Sequence, residues 1–278
     1  MGATFIIGLR EGIEAALIVS ILLAYLKKLG RADGTRLVWI GSLAAVALSA
    51  VVGTSIFIAG SSFEGRAEQL FEGIATLSAV AVLTWMIFWM RRQSANLRAE
   101  LQDKVDGALL AGGFALSAIA FFAVLREGIE TALFLFAAAA GTATEQGSVS
   151  AQLLGALLGI LTAVVLGALI YRGGIRLNLR SFFRVTGLAL VVIAAGLLAY
   201  GLHELQEAGL VPLLEATAYD LSATLTDDTG LGAILRGLVG YHDSPSILEV
   251  VAWLAYMAVV GGSFLRPAAV TSAPRAAA

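Results

Sequence analysis

The sequence predicts an all-α integral membrane protein with seven transmembrane helices. Of its 278 residues, 59% are hydrophobic and 14% are charged, with a mean hydropathy of +0.88, whereas soluble domains carry about 25% charged residues. Apolar runs of roughly 20 residues, the length that crosses a bilayer, lie at 3–26, 37–59, 69–90, 110–139, 151–171, 185–205 and 247–265. The chain has no cysteine, which excludes disulfides and thiolate metal ligands.

The distribution of Lys and Arg predicts the orientation of these helices. Basic residues cluster in the first, third and fifth connections, and two more follow the last apolar run. Cytoplasmic loops carry the excess of positive charge in membrane proteins. We therefore expect the N-terminus outside and the C-terminus inside.

A charged nine-residue segment occurs twice within the apolar runs. Residues 9–17 return at 125–133 with eight of nine positions identical, and each copy holds one Arg and two Glu. An ionisable residue near the bilayer centre costs about 2.5–3.5 kcal/mol on insertion scales. Two such sets of charges indicate a polar path or a binding site.

The positions of the two copies predict an inverted repeat. They lie in the first and fourth apolar runs, so the two helices cross the bilayer in opposite directions. We expect one three-helix repeat at 1–106 and an inverted one at 107–206, with the site between them. An outer connection at 207–246 and a seventh helix with a cytoplasmic tail at 247–278 complete the chain. Short interfacial helices are expected at 211–214 and 230–238.

The spacing within each copy predicts the chemistry of the site. Helix positions three and four apart are neighbours, so the Arg and both Glu share one broad face. In antiparallel packing Arg10 lies level with Glu130, and Arg126 with Glu14. Carboxylate oxygens suit iron, manganese, magnesium or calcium without selecting one. The candidate metal and transport residues are Glu11, Glu14, Glu127 and Glu130, and the charge-balancing residues are Arg10 and Arg126.

Two features of the motif leave alternatives open. The Arg–Glu pairs could be intrahelical contacts that only lock the two helices. Gly12 and Gly128 could permit either close helix approach or a local unwinding that frees carbonyl groups. Because the run at 110–139 is overlong, tilting or a break near Gly128 is a further expectation.

Acidic residues and a histidine gather near the predicted outer helix ends, which indicates an entrance for cations. Four residues are predicted to line it, namely Glu68, Glu72, His203 and Glu207. Three more are weaker candidates, namely Glu64, Glu204 and Asp243. The alternative is a set of ordinary solvated helix ends. His242 and Asp243 are interpreted as loop residues, with a contribution to metal capture as the alternative.

The doubled Arg-Glu-Gly-x-Glu motif, at 10–14 and 126–130, resembles the oxidase-dependent iron permeases, and most closely their bacterial EfeU-type members. Phe71-Glu72-Gly73 resembles a further Glu-Gly segment of that family. The resemblance implies iron import across the cytoplasmic (inner) membrane, with the four motif Glu residues in iron transfer. It also implies extracytoplasmic partners: an iron-binding protein and a haem peroxidase or oxidase.

The sequence therefore predicts an iron permease with no permanently bound cofactor, no enzymatic activity and no nucleic-acid partner. The oxidation state of the transported iron, Fe(II) or Fe(III), stays open at this point. One alternative is a proton-coupled transporter of another divalent ion such as manganese, since intramembrane Glu chains also relay protons. Another is a membrane-embedded metal enzyme, which the motif favours less because it has no His and no nucleophile.

Overall fold

The computed structural model describes residues 1–93, 97–111, 113–141, 149–173 and 178–266, and the regular elements in these ranges are helical. The first seven are α1 (Gly2–Lys28), α2 (Ala32–Ser61), α3 (Arg66–Gln93), α4 (Leu97–Ala111), α5 (Gly113–Ala140), α6 (Val149–Tyr171) and α7 (Leu179–Glu207). They are followed by α8 (Gly230–Val239), α9 (Ile247–Tyr256), a π-helical turn (Met257–Gly261) and α10 (Gly262–Leu265).

Among the residues that the structure describes, five helical segments are long and apolar enough to cross a membrane. They span Asp33–Ser61, Arg66–Met90, Ser150–Tyr171, Ser181–Glu207 and Ile247–Leu265. The helices α1 and α5 have 27 and 28 residues, which is also enough to cross. Their motif charges lower their apolar character, however, so seven crossings and their orientation stay predictions.

The long helices pack in three pairs. Helix α1 lies along α6, α2 along α5, and α3 along α7, while α1 also crosses α5 inside the bundle. Each pair therefore combines one helix from residues 1–106 with one from residues 107–206. The two motif-bearing helices consequently meet in the interior.

Small residues allow these pairs to approach closely. In the middle of α2 and of α6, four positions spaced four residues apart carry only Gly, Ala or Ser. They are Gly41, Ala45, Ser49 and Gly53 in α2, and Gly155, Gly159, Ala163 and Gly167 in α6. Gly159 lies against the backbone of Phe5 and Leu9, so a side chain there would strike α1. Such small-residue stripes let helix backbones pack together in membranes.

Two apolar clusters fill the bundle. One joins α1, α3, α5, α7 and α9 through residues such as Ile7, Leu83, Phe134 and Leu190. The other joins α1, α2, α4 and α5 through residues such as Leu22 and Leu116. The charged motif of α5 lies between its residues in these two clusters, so it is held inside the protein rather than at an end.

The bundle has two distinct ends. At the loop end, α1, α3 and α9 begin, α2, α5 and α7 end, and residues 208–246 connect α7 to α9. At the basic end, α1 and α3 end and α4 and α5 begin. The positive-inside expectation places the basic end in the cytoplasm.

The structure corrects several expectations about individual segments. The predicted break near Gly128 is wrong, because α5 is continuous from Gly113 to Ala140. Helix α4 was not expected. It lies between the third and fourth apolar runs, where Tyr25 donates to Asp106 at 2.8 Å.

The expected helix at 211–214 is also wrong. Gly209 at φ 69° ends α7, Leu214 has φ 51°, and Pro212 has no N–H to donate. The helix expected at 230–238 is confirmed as α8, Gly230–Val239.

Candidate functional site

The two motif copies lie on α1 and α5 with nearly all of their charged side chains buried. Arg10, Glu11 and Glu127 are each 1% exposed, Glu14 is 4% exposed and Glu130 is 8% exposed. Both helices run through the motif without interruption, so the glycines serve close packing rather than local unwinding. Gly12 faces Ala163 of α6, and Gly128 faces the Ser49 hydroxyl of α2.

In the first copy a buried guanidinium group holds two carboxylates of its own helix. Arg10 Nη1 donates to Glu11 Oε1 at 2.8 Å, and Nη2 lies 3.0 Å from Glu14 Oε1. Arg10 Nη1 also contacts the Met86 sulfur of α3 at 3.2 Å. Arg10 is therefore fixed by α1 and α3 together.

The second copy repeats these pairs in a more open setting. Arg126 Nη2 lies 2.5 Å from Glu127 Oε1, and Nε lies 3.6 Å from Glu130 Oε1. The Arg126 side chain is 41% exposed, against 2% for Arg10. Its guanidinium carbon stands 4.6 Å from the centre of the Trp89 ring, a favourable cation–π arrangement.

Carboxylates bring the two copies together. Glu11, Glu14 and Glu127 each place an oxygen such that all three lie within 4.8 Å of one another. Glu11, Glu127 and Glu130 each keep a buried Oε2 that has no hydrogen-bond partner among the described residues. In the described part of the chain, each Arg–Glu ion pair joins two residues of the same helix, either α1 or α5, and none joins α1 to α5. We call these two Arg and four Glu residues the Arg/Glu cluster.

The Arg/Glu cluster has the charge and the ligands for a cation. Two Arg and four Glu leave a formal charge of −2 when all are ionised. Buried carboxylate oxygens without a partner are costly, and an oxygen-binding cation would satisfy them. The intrahelical Arg–Glu ion pairs are also present, but they do not occupy the Oε2 atoms of Glu11, Glu127 and Glu130.

The Arg/Glu cluster is open on one side and closed on the other. Toward the basic end, Arg126 and Glu127 line a cavity of about 410 Å³ together with Trp89 and Lys104. Toward the loop end, Ile7 and Phe134 are fully buried in the apolar cluster one turn from the motifs. An ion at the Arg/Glu cluster would thus adjoin a cavity on the basic side and packed apolar side chains on the loop side.

The expected entrance residues lie at the loop end but not as one group. Tyr200 donates a short hydrogen bond to Glu72, which joins α7 to α3. Gln69 donates to Glu207 at 2.9 Å, and His203 Nε2 lies 3.4 Å from Glu207. Three further candidates lie elsewhere at this end: exposed Glu64 and Glu68, and Asp243, which accepts from Ser244. Glu204 lines a cavity with Tyr200 and His203.

The structure brings Glu249, which the sequence analysis did not select, and His242, which it interpreted as a loop residue, into contact with His203. Glu249 is 3% exposed. One of its carboxylate oxygens lies 3.1 Å from His203 Nδ1, and the other lies 3.3 Å from His242 Nδ1. Residues 203, 242 and 249 come from α7, the connection and α9, so their spacing carries no helical signal. The only local sign was the Ser246-x-x-Glu249 capping box, which indicates a helix start.

Comparisons with known proteins agree with the motifs. Residues 1–270 match the model of the iron permease FTR1 family. The ferrous iron permease EfeU of Escherichia coli O6:K15:H31 is 43% identical over 96% of both chains. The protein of that name from Shigella sonnei is 43% identical over all of both chains, and that from Yersinia pestis is 39% identical over 92% of this chain and 90% of its own. No solved structure matches the chain.

Proposed function

Since the chain belongs to the iron permease FTR1 family, a family of membrane transport proteins, we propose that it imports ferrous iron through the Arg/Glu cluster. The relatives at 39–43% identity are named ferrous iron permeases, which favours Fe(II) as the ion. The proposed location is the cytoplasmic membrane, with the loop end outside. An extracytoplasmic iron-binding protein and a haem peroxidase or oxidase are proposed partners at that end.

The observation that carries the proposal is the meeting of Glu11, Glu14 and Glu127 inside the bundle. Their oxygens converge within 4.8 Å, and partnerless carboxylate oxygens remain on both helices. Hard oxygen ligands accept iron. The two Arg residues keep the empty cluster from being an uncompensated buried anion, which would be strongly destabilising.

The helix pairing supports transport by movement of two repeats. Pairing α1 with α6, α2 with α5 and α3 with α7 is what an inverted repeat with two-fold pseudosymmetry would give. In that arrangement the Arg/Glu cluster would lie at the interface of the two repeats, where transporters built this way have their sites. The difference in exposure between Arg10 and Arg126 corresponds to a conformation that opens toward the basic end, with Ile7 and Phe134 closing the loop end. Release of iron would then follow relaxation of the Arg126 pairs.

Iron uptake into proteoliposomes tests the proposal. Purified wild type and a Glu14→Gln, Glu130→Gln double variant would be offered radioactive Fe(II) and Fe(III) separately. We expect Fe(II) uptake by the wild type and a reduction of about 10- to 100-fold in the variant, the range typical of a damaged metal site. Each substitution removes a charge from the Arg/Glu cluster without changing side-chain size.

Glu215→Gln is the matched control, because Glu215 is exposed on the connection at the loop end. It should transport like the wild type. Wild-type uptake rates in the double variant would refute the Arg/Glu cluster as the path. Uptake of manganese but of neither iron form would refute iron import and support the manganese alternative.

A further inference from the structure

We propose that His203, His242 and Glu249 form a second metal site, at the loop end, that captures a divalent transition-metal ion before it reaches the Arg/Glu cluster. The geometry of these three residues carries the site itself. The identification of the captured ion as Fe(II) rests on the proposed function.

Three separate elements converge to form this site. His203 lies near the end of α7, His242 in the connection and Glu249 in the first turn of α9. Their potential ligand atoms all lie within 4.8 Å of one another. Each histidine directs Nδ1 at a different oxygen of Glu249, at 3.1 and 3.3 Å. One metal ion bound to both Nδ1 atoms and to the Glu249 carboxylate would take the place of the two Nδ1 hydrogens.

The outer nitrogens of both histidines also face carboxylates. His203 Nε2 lies 3.4 Å from Glu207. His242 Nε2 lies 3.9 Å from Asp227 Oδ2, which is beyond direct hydrogen-bond distance, and that oxygen accepts from Arg236. Metal-binding histidines nearly always give their second N–H to a carboxylate, carbonyl or water, which fixes the ring and its tautomer. A simple hydrogen-bonded clamp on Glu249 does not require the carboxylate of Glu207 at the second nitrogen of His203.

The three residues border a cavity with room for an ion and its water. The cavity measures about 190 Å³, and Tyr200, Glu204, Asp227 and Arg236 also line it. Several waters fit in such a volume. Two imidazoles and one carboxylate with open positions are typical of Fe(II) sites, whereas oxygen-only sets suit magnesium and calcium. The site would thus select transition-metal ions over magnesium and calcium.

The cavity leads toward the Arg/Glu cluster. Ala3 and Ala138 line it. Ala3 precedes Arg10 by two turns of α1, and Ala138 follows Glu130 by two turns of α5. At 1.5 Å per residue these separations are about 10–12 Å. Buried Ile7 and Phe134 lie between the two levels. The arrangement places a nitrogen-containing capture site and an oxygen-only transfer site in series.

X-ray absorption at the iron edge tests the capture site. His203 and His242 are the only histidines of the chain, so imidazole scattering from bound iron reports this site alone once any affinity tag is removed. Anaerobic Fe(II) would be added at one equivalent to the full chain in nanodiscs. The Glu14→Gln, Glu130→Gln background would suppress iron at the Arg/Glu cluster. We expect scattering from about two imidazoles.

Two variants and one control sharpen the experiment. A His203→Gln, His242→Gln variant in this background should lose the imidazole scattering. Glu249→Gln should weaken Fe(II) binding about 10- to 100-fold, while Gln keeps the capping box with Ser246 and hence the fold. Asp220→Asn removes a charge from the same connection, where Asp220 contacts Ser222, and should leave Fe(II) binding unchanged.

The outcomes separate this proposal from the proposed function. Iron bound without imidazole scattering, or no iron bound by the background variant, overturns the capture site and leaves the transport proposal standing. Imidazole-bound iron in a wild-type protein that transports no iron keeps the capture site and overturns iron import.

Discussion

Arg10 and Arg126 are equivalent in sequence but not in their surroundings. Arg10 is enclosed, with its guanidinium group shared between Glu11, Glu14 and Met86. Arg126 stands at the edge of the cavity near the basic end, against Trp89. Removal of either Arg leaves buried carboxylates without a base, which is costly, but only at Arg126 does an adjoining cavity give room for water to replace part of the lost contacts. The two Arg residues should therefore differ in how strongly they stabilise the fold.

Arg10→Ala should lower the free energy of unfolding by about 3–5 kcal/mol, since Glu11 and Glu14 would be left buried without a base. Arg126→Ala should cost less than Arg10→Ala, because the partly exposed Arg126 side chain borders a cavity in which water can replace part of its contacts, although Glu127 and Glu130 would also lose their base. Thermal unfolding in detergent, followed by tryptophan fluorescence, measures both. Adding Glu11→Gln to Arg10→Ala should recover part of the loss. Equal destabilisation by the two Arg substitutions would contradict the asymmetry.

At the scale of helices, the small-residue stripes fix how closely the motif helices approach their neighbours. Gly12 meets Ala163 of α6, and Gly128 meets Ser49 of α2. These contacts occupy corresponding positions in the two motif copies. Both helices are continuous through the charged segment, so the carboxylates project from regular helix.

Gly128→Ala should lower the midpoint of thermal unfolding, because the new methyl group would overlap the Ser49 hydroxyl. Overpacking of this kind costs about 1–3 kcal/mol. Adding Ser49→Gly should restore the midpoint by making room. Gly107→Ala is the matched control: Gly107 has open space around it in α4, and the change should be neutral or stabilise by up to about 1 kcal/mol. Failure of Ser49→Gly to rescue would show that the contact is not limiting.

At the scale of the whole molecule, the pairing of helices gives a bundle whose two ends differ in chemistry. The loop end carries His203, His242 and Glu249, while the basic end is formed by α4, the end of α1 and the beginning of α5. The proposed import, with capture at the loop end, requires the loop end outside and the basic end inside. The charge distribution predicts that orientation.

Cysteine labelling should establish the orientation, because the chain has no native cysteine. Ser62→Cys and Glu215→Cys should react with a membrane-impermeant maleimide on spheroplasts. Lys28→Cys and Gly107→Cys should react only after the membrane is opened. All four positions are exposed in the structure. Labelling of Lys28→Cys on intact spheroplasts would mean that α1 does not cross as predicted.

The sequence by itself determined the helical membrane class and the residues of the Arg/Glu cluster. Both are local signals, because an apolar run of bilayer length predicts a helix and charges within it stand out against their neighbours. The short apolar stretch at 230–238 likewise predicted helix α8. Helix α4 was missed because its 15 residues are more polar and lie between two stronger runs.

Only the tertiary structure decided which side chains meet. The convergence of Glu11, Glu14 and Glu127 depends on where α1 crosses α5, and the exposure of Arg126 depends on the neighbouring cavity. Glu249 had no helical spacing to either histidine, so only the packing of α7, α9 and the connection assigns it a role. Contacts between distant segments are set by packing of the whole bundle, and no local pattern in the chain specifies them.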